Sequence, residues 1–128
     1  MGVILSFTAR GHENIRALHR NTFEFTKDSH VTPAGDCIIG VLSDFDEPKK
    51  LSGPVVIEME AGGERETVKG ELNPDFNSSH EIVVRKSSFL SPRTLCVRAD
   101  KSCKDLSKVF RDMLKDPQTI IKVRIIEA

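Results

Sequence analysis

TKDSHVTPAGDC, residues 26–37, decides how this chain is read, because RKSSFLSPRTLC follows as residues 85–96, 59 positions further on. Aligned without gaps, Lys27 falls on Lys86, Ser29 on Ser88, Val31 on Leu90, Thr32 on Ser91, Pro33 on Pro92 and Cys37 on Cys96. The register continues upstream, setting Thr8 on Thr67, Arg10 on Lys69, Gly11 on Gly70 and Asn14 on Asn73. Seven identities result over residues 8–37, where chance supplies about two. The chain therefore reads as two tandem β-rich repeats, about residues 1–61 and 62–128.

Working outward from that stretch, the period of the apolar residues is two almost everywhere. Val3, Leu5, Phe7 and Ala9 alternate with Ser6, Thr8 and Arg10, as in a half-buried strand. A long strand is predicted over 15–26, with Ile15, Ala17, His19, Asn21, Phe23 and Phe25 on one face. Residues 37–42 are apolar on both faces, which suits a central strand. Gly62 and Gly63 supply a tight reversal between strands at 54–61 and 64–72, and further strands are predicted at 82–85, 94–99 and 119–127. Only residues 102–115 repeat at three and four, through Cys103, Leu106, Val109, Phe110, Met113 and Leu114, with Ser102 and Asp105 at capping-box spacing. The expected fold is a single mainly-β domain, residues 1–128: a two-sheet sandwich or flattened barrel with one α-helix over about 102–115.

Composition narrows the classes of function. Lys plus Arg equals Asp plus Glu, so no net field draws the chain to nucleic acid or to an anionic membrane. There is no Trp or Tyr, and the Phe residues fall mostly at core parity, which leaves little for base stacking. Three cysteines without CxxC spacing argue against a disulfide framework or a zinc knuckle. No apolar run approaches the roughly 18 residues that span a bilayer. A cytoplasmic protein is expected.

The runs FTARGHENIRALHR, TKDSHVTPAGDCIIGV and VVRKSSFLSPRTLCVRADK, residues 7–20, 26–41 and 83–101, resemble those of a family of uncharacterised archaeal proteins, Domain of Unknown Function 371. The resemblance covers nearly the whole chain and implies a mainly-β, sandwich-like fold. It brings no activity, cofactor or site residue. The chain differs from the family pattern in its short DFDEPKKLSG connection, residues 44–53, where many relatives carry a helix-length segment.

The residues themselves offer several sites. His12, Glu13, His19, His30, Asp36 and His80 are of metal-ligating type, but no HxH or HExxH spacing places two nitrogens on one ion, and no metal ligand is assigned. Cys37 beside Asp36 has the makings of a nucleophile, against the simpler reading of a buried core cysteine. The stronger constellation is cationic. Lys27, Arg85, Lys86 and Arg98, with Arg93 and Lys101, lie in or beside the two repeated loops and suit a phosphate or carboxylate if those loops meet. His12, His19, Asp36 and Asp100 are the acid–base candidates around it; the plainer alternative is a solvated rim of ion pairs and turn caps. The leading expectation is a domain that binds a small anionic ligand, with or without catalysis, at the loop junction. A non-catalytic interaction or scaffold protein is the alternative, and metal or RNA binding the third.

Overall fold

A computed structural model describes residues 2–128. Its strands are β1 (Val3–Arg10), β2 (Thr22–Thr26), β3 (Ile38–Gly40), β4 (Pro54–Ala61), β5 (Glu64–Leu72), β6 (Glu81–Arg85), β7 (Thr94–Val97) and β8 (Ile120–Glu127). All eight join one sheet in the order β1-β8-β4-β5-β7-β6-β2-β3. The two edges of that sheet then meet. Arg10 and Val41 exchange backbone hydrogen bonds of 2.8 and 2.9 Å in an antiparallel bridge, which joins β1 to the residues leaving β3. Of the two arrangements expected, one sheet closed on itself is adopted, rather than two separate sheets.

Alternation dictates what the barrel encloses. Leu5, Phe7 and Ala9 of β1, Val55, Ile57, Met59 and Ala61 of β4, and Ile121, Val123 and Ile125 of β8 point inward and are buried. The β4–β5 hairpin turns at Gly62 and Gly63, both at positive φ (57° and 83°), as a two-residue turn matching strand twist requires.

Several elements differ from expectation for local reasons. The strand predicted over 15–26 shrinks to Thr22–Thr26, because Ala17 adopts φ 52° and the His19 ring bonds its own chain. His19 Nδ1 accepts from the backbone N–H of Asn21 and Thr22 at 3.1 and 3.2 Å, a side-chain competitor for the ladder. The helix predicted over 102–115 is divided into a 3-10 turn, η1 (Cys103–Asp105), and a six-residue helix, α1 (Lys108–Met113). Two caps within five residues cause the break: Ser102 with Asp105 closes a capping box, and Ser107 Oγ accepts from Phe110 N at 3.1 Å. Phe110 still docks fully buried against the barrel.

Exchanging the first four strands with the last four maps this closed strand order onto itself. The parallel pair β2–β3 answers to β6–β7, and the antiparallel pair β4–β5 to β8–β1. Individual hydrogen bonds answer too. Lys27 N donates to His80 O at 3.0 Å and Lys86 N to Asn21 O at 2.9 Å, while Leu42 and Arg98 share φ 51°. The register is not the uniform one of the sequence alignment. Glu24 N donates to Cys37 O as Val83 N donates to Arg93 O, so the counterpart of Cys37 is Arg93 and not Cys96. This is a correspondence of pairing; that the halves are sequence repeats remains an expectation.

Candidate functional site

Lys27 stands apart from the other three cations expected to share a site with it; Arg85 and Lys86 are consecutive, and Arg98 N donates to Ser87 O at 2.9 Å. Lys27 and Lys86 flank opposite ends of the β2–β6 ladder, about 20 Å apart along the strand at roughly 3.4 Å per residue. Lys86 Nζ is paired with Asp105 Oδ2 at 3.0 Å and Arg98 with Glu71 Oε2 at 3.1 Å, so both are neutralised. Arg85 donates from Nε to Thr94 Oγ1 at 2.7 Å and lies over the exposed Phe89 ring at 5.1 Å. Among the described residues Lys27 has no carboxylate partner; its Nζ sits 4.5 Å from the centre of the Phe45 ring.

Of the acid–base candidates, His12, His19 and Asp100 are held by local hydrogen bonds, and Asp36 adjoins His19 through its backbone. His12 Nδ1 accepts from Asn14 N at 3.0 Å, its ring 5.1 Å from that of His30. His19 is held by Asn21 and Thr22, as described. The Asp36 carbonyl receives Leu18 N and His19 N. Asp100 Oδ1 accepts from Lys69 N at 3.0 Å, just as Asp44 Oδ1 accepts from Thr8 N at 2.7 Å, so Asp100 answers to Asp44, each bonded to the backbone of a facing strand. Among the described residues no group of three His, Cys, Asp or Glu side chains stands placed to hold a metal ion.

Where the two repeated loops do converge, they cover Glu24. This side chain projects from the outer face of β2, yet it is buried under Cys37 from one loop and Arg93 from the other. Cys37 Sγ donates to Glu24 Oε2 at 3.3 Å, and Arg93 Nη1 lies 3.5 Å from Glu24 Oε1 and 3.1 Å from Glu81 Oε1. Burial first, then hydrogen bonding with Glu81, raises the Glu24 carboxyl to about 7, while Glu81 is lowered chiefly by that same bond. Below about pH 7 the two carboxyls therefore share a proton, with Arg93 compensating the remaining charge. Cys37 is pushed up to about 12 by burial and then by the Glu24 charge, the opposite of what a thiolate nucleophile needs. Sequence parity shows Glu24 only as an outward polar residue between two core phenylalanines; no local signal announces that loops bury it.

Two concavities accompany these clusters. The larger, of about 680 Å³, lies over the outer faces of β1, β8, β4 and β5, where Glu58–Arg124 (3.1 Å) and Glu60–Arg65 (3.5 Å) neutralise one another. The other, of about 470 Å³, has Lys27 at its wall and Phe45, Pro48, Leu51 and Phe76 in its lining, with Asp46, Glu47, Asn77, Ser78 and Ser79 around them. Phe45 and Phe76 are only 3% and 7% exposed and form a fixed apolar floor. They come from segments the sequence presents as polar connections, residues 44–53 and 73–80; a solitary Phe in each is the signal that those segments fold back onto the barrel.

Fold and sites thus define an eight-stranded barrel with loop-built polar clusters outside it. The chain belongs to the family described as Domain of unknown function (DUF371), whose model matches residues 7–128. It is similar to an uncharacterised protein, MJ0206, of Methanocaldococcus jannaschii, with 36% identity over 124 residues, covering 88% of this chain and 92% of that one.

Proposed function

We propose that the protein binds a small ligand carrying a carboxylate or phosphate on an apolar body, and that Lys27 receives the anionic group. One observation carries this reading: an ammonium without a carboxylate partner stands at a cavity of about 470 Å³ floored by buried Phe45 and Phe76. That volume falls within the range of small-molecule sites, which combine apolar surface with placed polar groups. The ligand class expected from the sequence is kept, and its place moves from the junction of the repeated loops to the side of the first one. Free thiols at Cys37, Cys96 and Cys103 support a cytoplasmic setting within the same proposal.

The test is calorimetric titration with 3-phenylpropanoate against its uncharged alcohol, on the native chain and on Lys27→Ala. Preference for the carboxylate that disappears in Lys27→Ala is the expected result. Equal binding of acid and alcohol, or none of either, overturns the proposal and favours the interaction-protein alternative.

A further inference from the structure

The cavity beside Lys27 carries charge of both signs, and none of it is paired. Lys27, Asp46 and Glu47 all line it, yet none forms an ion pair with another or with any other described residue. Opposite charges on this surface pair where they come close, as Lys50 and Glu127 do at 2.9 Å or Arg98 and Glu71 at 3.1 Å. Around the cavity they stay apart, with the Phe45 ring holding the lysine ammonium by its face.

The consequence is a constraint on ligand charge. A simple anion placed against Lys27 meets two carboxylates for one ammonium, and like charges across a half-enclosed site disfavour it. A ligand that extends a carboxylate to Lys27 and an ammonium to Asp46 and Glu47 satisfies all three. Three donor hydrogens on one primary ammonium suffice for both acidic side chains. Beside these two charges the rest of the ligand must be apolar, because Phe45, Phe76 and Leu51 line the same cavity and their side chains offer no hydrogen bond.

We infer that the cavity takes a zwitterion of the amino-acid type with a large apolar side chain. This rests on the reading of the cavity as the ligand site and goes further by fixing the ligand's second charge. Lys27 selects the carboxylate, the acidic pair selects the ammonium, and the buried rings select the side chain.

The experiment compares L-phenylalanine, 3-phenylpropanoate and 2-phenylethylamine by calorimetric titration of the full chain. L-phenylalanine is expected to bind at least about tenfold more tightly than either analogue. In Asp46→Asn/Glu47→Gln that advantage over 3-phenylpropanoate should vanish, with 3-phenylpropanoate itself bound more tightly than by the native chain. Both substituted positions are exposed, so loss of folding does not mask the result, and circular dichroism confirms it. Binding of 3-phenylpropanoate as tight as that of L-phenylalanine overturns the zwitterion while leaving a carboxylate site in place. Absence of saturable binding by all three overturns both readings.

Discussion

Cys37 Sγ and Glu24 Oε2 lie 3.3 Å apart, the thiol donating to a carboxyl buried on the outside of the barrel. Glu24 keeps its proton to about 7 in the folded chain against 4.5 for the free side chain, so between those values the folded state binds more protons than the unfolded one. Its contribution to stability is complete below 4.5 and is lost as the pH rises through about 7. Glu81, lowered by its bond with Glu24, acts in the opposite sense: its contribution is present above the unfolded carboxylate value and lost on acidification. Urea unfolding of the native chain and Glu24→Gln at pH 5.5 and pH 8 should show a fall in stability toward pH 8 that the variant lacks. Identical pH profiles would mean that Glu24 is ionised in the fold.

The same contact forecasts thiol behaviour. Burial, then Glu24, pushes Cys37 up to about 12, burial alone pushes Cys96 to about 12, and burial, then Cys37, raises Cys103 as well. At pH 8 a disulfide reagent should therefore react slowly with the native protein and promptly with all three cysteines in denaturant. Rapid native labelling of Cys37, at the pace of a free thiol, would restore the nucleophile reading.

What the sequence made legible follows physical range. Period-two patterns are local, and β1, β4, β5 and β8 were readable to within about a residue or two. Residues 15–21 were misread because His19 intercepts the backbone of Asn21 and Thr22, an event that apolar parity does not register. The helix was placed correctly at Phe110 but drawn too long, since Ser107 begins a second cap where periodicity alone sees continuity. Site geometry was the least legible. Whether Lys27 and Lys86 meet depends on strand order, and an antiparallel β2–β6 pair sends them to opposite ends. The acidic core of the loop junction and the phenylalanines under Lys27 depend on which loop covers which face, a relation between residues far apart in the chain.

Docking of the divided helix rests on one ring. Phe110 is 0% exposed while its neighbour Val109 is 51% exposed, so adjacent positions on α1 face opposite environments. Phe110→Ala should cost about 3–5 kcal/mol, as loss of a fully enclosed aromatic does, and Val109→Ala less than about 0.5 kcal/mol. Chemical denaturation of both variants measures this. A Phe110→Ala cost below about 1 kcal/mol would mean that α1 is held by its caps and by Leu114 rather than by this side chain.

Lys27 and Lys86, equivalent by hydrogen bonding to the opposite strand, should behave as opposites when removed. Lys86 is part of the turn that starts the helical segment: its Nζ meets Asp105 Oδ2, which also accepts from Ser102 N at 2.9 Å and Ser102 Oγ at 3.0 Å. Those contacts, the Ser102 backbone first, hold the Asp105 carboxyl down at about 2, so it stays charged in any ordinary buffer. The Lys86–Asp105 pair is half in solvent, where such bridges contribute only about 0–1 kcal/mol. Lys86→Ala should thus lower stability by up to about that amount and leave ligand affinity intact, because none of its contacts borders the Lys27 cavity. Lys27 forms no ion pair among the described residues, so Lys27→Ala should change stability by less than about 0.5 kcal/mol while weakening carboxylate binding by at least about tenfold. Unfolding curves and titrations on the two variants separate the effects. If Lys86→Ala abolishes binding and Lys27→Ala does not, the ligand sits at the start of the helical segment, and the cavity beside Phe45 is not its site.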